Sequence, residues 1–160
     1  MKAVGTFRID IEIENPQQPG ERRLVRGVLV DTGSELTWIP RHILESLGVS
    51  HFKLWHFRQA DGSALERWAG LATVFAEGLG TGDEVVFGEP GDMVLLGARS
   101  LEGLNLRVDA QRKILVDAGP APAACARRGV PRGHRGSDRA WSAVVREIAA
   151  IGGVLDYVVH

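Results

Sequence analysis

The chain has 160 residues, of which 44% are hydrophobic and 24% charged, and its formal net charge is -1 at pH 7. These values are typical of a soluble globular domain with a real core, and the near-neutral charge argues against whole-protein attraction to nucleic acid or anionic membranes. A single cysteine, Cys125, allows no intrachain disulfide and no cysteine zinc cage. No apolar run approaches the ~20 residues of a membrane span, and the N-terminus lacks a signal core, so we expect a cytoplasmic protein.

The first third of the chain alternates between strand-like segments and turns. Phe7–Ile13 carries an apolar residue at every second position, which predicts a strand with one solvent-facing side. Residues 15–21 (NPQQPGE) predict a turn, and the apolar run in Leu24–Val30 predicts a strand buried on both faces. Residues 40–48 begin with proline and end with glycine, which predicts a short helix.

Short strands and turns continue to residue 116. Residues 54–76 predict a hairpin, because Asp61-Gly62 between apolar segments is a strong turn signal. The remaining predicted elements are a turn at 78–84, a strand at Val85–Phe87, a turn at 88–92, an apolar segment at 93–97, a helical turn at Ser100–Leu104 and a hairpin at 104–116. This pattern predicts an all-β domain, barrel-like or sandwich, over residues 1–117.

The composition changes after residue 117. Residues 118–138 are rich in Pro, Gly, Ala and Arg and have no period, which predicts a linker. Residues 139–160 predict a C-terminal helix and tail, since apolar residues recur there at helical spacing. Five arginines lie between 127 and 139, and such a cluster can contact phosphates. Because no aromatic residues interleave with them, we expect a solvated linker and no nucleic-acid partner; an arginine-tail nucleic-acid adaptor is the alternative.

Asp31 is the most informative residue, because it follows the apolar run directly and is followed by Thr32 and Gly33. A carboxylate at the end of a buried strand must be paired or hydrogen-bonded. The simplest explanation is a turn in which Asp31 accepts backbone N–H groups.

Four segments together resemble the retropepsin-like family of aspartic peptidases, over about residues 4 to 117. "VLVDTGSELTWI" (28–39) is similar to the family's active-site loop, and "IPRHILESLGV" (39–49) to the short helix after it in bacterial members. "RQADGSALERWAG" (58–70) resembles the flap hairpin, and residues 93–116 resemble the second half of the domain. The resemblance implies an all-β acid-protease fold, a closed barrel with one lobe per chain and two short helices. It does not extend to the predicted C-terminal helical tail.

The resemblance also implies roles for individual residues. Asp31 is the catalytic acid, and Thr32, Gly33 and Ser34 support its loop. Thr32 bonds across to a partner loop or only within its own turn, and Ser34 bonds the outer carboxylate oxygen or its own turn. The substrate-binding flap carries four residues at its tip: Ala60, Asp61, Gly62 and Ser63.

Catalysis by two carboxyl groups requires a second aspartate, and "DTG" occurs once. The nearest copy, "ILVDAG" (114–119), lacks the hydroxyl residue, so we expect the second acid to come from a second chain in a homodimer acting on peptide or protein substrates. The five histidines are scattered without ligand spacing, so we expect no metal and no cofactor. The alternative is a non-catalytic dimerisation or peptide-binding module on the same fold.

Overall fold

The computed structural model describes residues 6–124. Within this range the chain forms nine strands and two short helices, in the order β1 (Arg8–Glu14), β2 (Arg22–Val30), β3 (Thr37–Pro40), α1 (Arg41–Ser46), β4 (His51–Arg58), β5 (Ala64–Ala76), β6 (Leu79–Gly88), β7 (Leu95–Leu96), α2 (Ala98–Gly103), β8 (Leu106–Asp109) and β9 (Ile114–Asp117). The predicted helix and tail at 139–160, and most of the predicted linker at 118–138, lie outside the described residues. Neither described helix has the length and hydropathy needed to cross a bilayer.

The first two strands and the turn between them agree with the prediction. In β1, Ile11 and Ile13 are 1% and 0% exposed and alternate with more accessible residues. β1 pairs antiparallel with β2. In β2, Val28 and Val30 are buried and Leu29 between them is half-buried, so both faces of this strand are covered near its end.

β4, β5 and β6 form a meander of antiparallel strands. β4 and β5 are the predicted hairpin around Asp61-Gly62. The predicted turn at 78–84 is wrong: the turn consists of Glu77 and Gly78, whose φ angles are 51° and 75°, and β6 begins at the next residue.

Gly80 explains why this part of the sequence has the composition of a turn. It lies opposite Phe75 in the β5–β6 pair. A Cβ atom added at Gly80 would lie 2.6 Å from the Phe75 ring, so only glycine leaves space for the ring to lie across the strand. The glycine therefore serves cross-strand packing and does not mark a turn.

The seven-stranded sheet is mixed and its strands form a ring. The strand order is β1-β2-β7-β3-β6-β5-β4, and β1 also pairs with β5, with Ile13 opposite Val74. Six strands therefore complete the ring, and β4 is an edge strand outside it. The largest fully buried side chains come from many of these elements: Phe87, Ile11, Ile13, Leu36, Ile39, Leu44, Leu47, Leu96, Val28, Val74, Val85 and Val86.

β3 was not predicted from the sequence. It contains four residues, pairs in parallel with β6 and contacts β7 through the antiparallel pair Trp38–Leu95. β7 in turn pairs in parallel with β2. Strands of two to four residues are too short to show a period of their own, so their positions follow from their neighbours.

The two helices lie close to the predicted positions. α1 lies inside the predicted range 40–48, follows Pro40 and buries Leu44. α2 begins two residues before the predicted helical turn at Ser100–Leu104. The described part of the chain is therefore mostly β, with two short helices, as the sequence predicts.

β8 and β9 form the predicted terminal hairpin as a separate two-stranded sheet. Ala118 N donates to Asn105 O over 2.9 Å, and Asn105 Nδ2 donates to Gly119 O over 2.9 Å. The hydrogen bonds of this hairpin thus reach two residues past Asp117. The domain boundary after residue 117 stays a prediction.

Candidate active site

Asp31 is the first residue after β2, and its backbone is fixed by a neighbouring strand. Its N–H donates to Leu96 O in β7 over 3.0 Å, which continues the parallel pairing of β2 and β7. Val30 before it is 3% exposed, whereas Asp31 itself is half-buried. The strand therefore delivers the carboxylate from the core to a surface that solvent, or another molecule, can reach.

One oxygen of this carboxylate is held by its own loop. Asp31 Oδ1 accepts the N–H of Gly33 over 2.9 Å, the hydrogen bond expected at this position. A Cβ atom at residue 33 would lie 3.2 Å from the same oxygen, so glycine allows the close approach. Asp31 Oδ2 accepts no hydrogen bond from residues 6–124.

The two hydroxyl residues of the loop behave differently. Ser34 Oγ donates to Leu36 O over 3.0 Å, so of its two expected roles it fills the local one. Thr32 is exposed, and no hydrogen bond joins its side chain to the part of the chain that the structure describes. An exposed hydroxyl beside Asp31 is compatible with a contact to a second chain, and that role stays a prediction.

The segment after β7 supports the Asp31 loop from below. Ala98 N donates to Ser34 O over 2.8 Å, and Arg99 N donates to Glu35 O over 3.1 Å. Gly97 lies at the crossing itself, because a Cβ atom there would be 2.5 Å from Leu36 O. The sequence places these two segments more than sixty residues apart, and the fold brings their backbones into direct contact.

The four predicted flap residues form the tip of the β4–β5 hairpin. Gly62 has φ = +87°, which an L side chain rarely adopts, and its N–H donates to Gln59 O over 2.9 Å. Asp61 Oδ1 accepts Ser63 N at 2.8 Å and Ser63 Oγ at 2.6 Å. The Ser63 hydroxyl, followed by the Ser63 N–H, lowers the pKa of Asp61. Ala60 is exposed with the rest of the tip, so the tip presents polar groups and backbone to solvent.

A cleft of about 250 Å³ opens beneath this hairpin. Its lining residues come from β3, the hairpin and the chain around β7: Trp38, Gln59, Leu65, Gly91, Asp92, Met93 and Leu95. Leu95 pairs with Leu29, two residues before Asp31, so the floor of the cleft adjoins the strand that ends at the acid. The sequence did not identify these wall residues, because each is an ordinary apolar or loop residue until the fold brings them together.

An ion pair joins the hairpin to the opposite wall of the cleft. Arg67 of β5 donates two hydrogen bonds to Asp92, Nε to Oδ2 at 2.6 Å and Nη2 to Oδ1 at 2.9 Å. Asp92 Oδ2 also accepts Glu89 N at 2.8 Å. The Arg67 hydrogen bonds are the main reason that the pKa of Asp92 lies below its ordinary value, and the same bonds raise the pKa of Arg67. The cleft is thus held to a defined width on this side.

A second cavity of about 470 Å³ lies between α1 and residues 88–94. It contains none of the predicted site residues, and Arg41 on its wall donates to Glu89 over 2.7 Å. The smaller cleft, by contrast, lies between the hairpin and the strands that lead to Asp31.

The aromatic residues of the hairpin mostly pack against one another. Trp55 and Phe57 stack with ring centroids 5.9 Å apart, and Phe57 lies 4.9 Å from Trp38 of the cleft wall. Trp55 Nε1 donates to Glu84 over 2.6 Å. Trp68 is 36% exposed and contacts His51. Trp55 and Phe57 therefore pack within the hairpin and against the cleft wall.

No group of three or more His, Cys, Asp or Glu side chains within residues 6–124 is arranged to hold a metal ion.

No family model matches the chain, and no curated protein matches it. Among solved structures, the chain is similar to a retropepsin-like aspartic protease from Rickettsia conorii, with 19% sequence identity over 68% of this chain and 91% of that chain, and a TM-score of 0.38. This neighbour comes from the family that the sequence resembles.

Proposed function

We propose that the chain is one lobe of a retropepsin-like aspartic endopeptidase, active as a homodimer in which the two copies of Asp31 form the catalytic pair. The observation that carries this proposal is the state of the Asp31 carboxylate. One oxygen is fixed by Gly33, and the other has no partner within residues 6–124. The acid stands at the end of a buried strand whose Leu29 pairs with Leu95 in the wall of the cleft.

Peptide hydrolysis by two carboxyl groups explains such an arrangement. Two carboxyls about 3 Å apart share one proton, because two negative charges at that distance are not both stable. The ionised member takes a proton from water, while the protonated member donates to the scissile carbonyl oxygen. The pair titrates as a unit, so we expect activity to follow a bell-shaped pH profile on the acid side.

The second acid is proposed to come from another copy of the chain. The other candidate within the chain, Asp117, is exposed and belongs to the separate β8–β9 sheet. Its Oδ1 accepts the N–H of Gly119 over 2.6 Å, so it forms the same local turn as Asp31 but without a hydroxyl residue between. A two-fold axis beside Asp31 gives each active site two identical loops and two flaps.

The cleft suggests the class of substrate. Trp38, Leu65, Met93 and Leu95 make its wall largely apolar, and the hairpin above it offers backbone groups. An extended peptide with a large apolar side chain fits such a cleft, with its backbone paired to the hairpin in the manner of an added strand. Flap motion then admits and releases the peptide.

The test is a peptide-library digest by the full chain and by the Asp31→Asn variant. An amide cannot exchange the required proton, so Asp31→Asn should fold normally and lose peptidase activity. Excess Asp31→Asn mixed with the unaltered chain should also suppress activity, since each mixed dimer keeps one competent acid. Cleavage by the variant at the unaltered rate would refute the mechanism, and a chain that binds peptides without cleaving them would instead be a dimerisation or peptide-binding module.

A further inference from the structure

A buried chain of hydrogen bonds connects the backbone of Asp31 to a second carboxylate that the proposed chemistry does not use. Asp83 lies in β6, and its side chain is 8% exposed. Its Oδ2 accepts Ser100 Oγ over 2.8 Å, and Ser100 Oγ lies 2.6 Å from Thr37 Oγ1. Thr37 and Ser100 are both 0% exposed, so neither hydroxyl can bond to water instead.

The direction of these bonds follows from counting protons. An ionised carboxylate only accepts, so Ser100 must give its single hydroxyl proton to Asp83. Thr37 must then donate its own proton to Ser100, which leaves Thr37 Oγ1 to accept. It accepts the N–H of Gly97 over 3.0 Å. All three hydrogen bonds therefore point towards the negative charge on Asp83.

This series of hydrogen bonds is connected to Asp31 through one peptide group. The N–H that Gly97 donates belongs to the peptide unit whose carbonyl is Leu96 O, and that carbonyl accepts the Asp31 N–H over 3.0 Å. A peptide unit is planar, so fixing its N–H also fixes the direction of its carbonyl. Aligned hydrogen bonds polarise one another, which strengthens each bond in the series.

Two further groups contact the Asp83 carboxylate at the end of this series of hydrogen bonds. Its Oδ1 accepts Glu84 N over 2.7 Å, and Arg99 Nε lies 3.9 Å from the same oxygen. The hydrogen bonds from Ser100 and Glu84 therefore satisfy both oxygens of this buried carboxylate. Arg99 also belongs to the segment whose N–H groups hold the Asp31 loop, so charge and backbone contacts act on the same turn.

We infer that Thr37, Ser100 and Asp83 are positioning residues, which fix the Leu96–Gly97 peptide and through it the place of Asp31. The catalytic consequence rests on the proposed function, whereas the effect on the Asp31 backbone does not. Loss of these hydrogen bonds should make the hydrogen bond from the Asp31 N–H to Leu96 O less stable and lower kcat. KM should change little, because none of the three residues lines the cleft.

The experiment compares the full chain with Thr37→Val, which keeps the shape and removes the hydroxyl, and Thr37→Ser, which restores it. Ser100→Ala removes the middle hydroxyl of the hydrogen-bonded series. It tests the positioning role if Thr37→Val does not fold. Val74→Ala is the control, since Val74 is 0% exposed and its side chain forms no hydrogen bond. Amide hydrogen exchange at Asp31 and Gly97 is measured by NMR, with kcat and KM measured on one cleaved peptide.

In Thr37→Val and Ser100→Ala, exchange at the Asp31 amide should rise about fivefold to tenfold, the size expected for loss of a buried hydrogen bond. In Thr37→Ser and Val74→Ala it should stay within about twofold of the unaltered chain. kcat should fall about tenfold or more in the first two variants, with KM within about threefold. Unchanged exchange at Asp31 in both variants, or an equal rise in Val74→Ala, would overturn the inference. If the unaltered chain cleaves no peptide, the proposed function fails while the exchange result still decides the positioning role.

Discussion

Replacing Gly97 by alanine tests the crossing beneath the Asp31 loop. The added Cβ atom would lie 2.5 Å from Leu36 O and 2.9 Å from Glu35 O. An ordinary carbon–oxygen contact is at least about 3.3 Å, so one of the two backbones must move by about 0.8 Å. Neither oxygen belongs to a side chain that can rotate away. The backbone conformation at Gly97, φ −90° and ψ 174°, is one that alanine adopts readily, so the clash is the whole effect.

The expected loss of stability combines two opposite terms. Overpacking of this kind costs about 1–3 kcal/mol, while the stiffer unfolded chain returns about 0.4–1 kcal/mol. The net destabilisation is therefore at most about 2.6 kcal/mol, with a midpoint of about 1.3 kcal/mol, which corresponds to about 5 °C in Tm for a domain of this size. A shift of nearly 1 Å in the loop that carries Asp31 should lower kcat by about a hundredfold.

Gly82→Ala is the matched control, because a Cβ atom at Gly82 meets nothing within 4 Å. Thermal unfolding followed by circular dichroism, and peptide cleavage at a temperature where all proteins are folded, measure the two effects. Gly33→Ala adds a third case, in which the new Cβ lies 3.2 Å from the Asp31 carboxylate and should affect cleavage more than stability. If Gly97→Ala is as stable and as active as Gly82→Ala, the two segments do not cross closely and the description of the loop support is wrong.

Three other changes have expected outcomes. Gly62→Val should weaken peptide binding more than dimerisation, because φ = +87° suits glycine alone; equal losses measured by calorimetry and sedimentation would show that the hairpin is not the flap. Arg67→Leu should lower the free energy of unfolding by about 1–3 kcal/mol near neutral pH. Because the pKa of Asp92 is depressed by Arg67, this contribution is present above the ordinary aspartate pKa and is lost as the pH falls through the depressed value. Denaturant titrations measure the difference in free energy of unfolding between Arg67→Leu and the unaltered chain. If that difference is the same in strong acid as near neutral pH, this reasoning is wrong. The composition of 119–138 predicts that limited proteolysis cuts there first, and a chain ending after Ala121 should stay folded; aggregation of that shortened chain would show that later residues cover its core or interface.

Local sequence patterns were sufficient for the elements that local interactions determine. The alternation in β1 and the Asp61-Gly62 turn depend on neighbouring residues, and both predictions were confirmed. The Asp31 loop was found because its residue types are tied to one geometry, and the hydrogen bond from Gly33 agrees with that geometry. The roles assigned to these residues stay predictions.

Features that depend on distant residues were not predictable in this way. β3 becomes a strand because β6 and β7 flank it, and Gly80 lies in a strand because Phe75 fills the space above it. Thr37 meets Ser100 across 63 residues and Ser100 meets Asp83 across 17. Nothing in the composition of those segments distinguishes a buried hydroxyl with two partners from an exposed one. Only the assembled sheet determines which polar groups must bond to one another.

The ring of six strands, β1, β2, β7, β3, β6 and β5, has a consequence for the rate at which the protein folds. The β4–β5–β6 meander can form from residues close in sequence, but closure requires Ile13 to meet Val74 and Trp38 to meet Val86. Joining such distant residues loses chain entropy before the contact returns any energy, and domains with many such pairings fold on the order of milliseconds to seconds. The meander is therefore expected to form early, with β1 pairing to β5 as a late step. Until that step is complete, the edges of β1 and β5 remain open, and a concentrated refolding mixture should lose protein to aggregation through them.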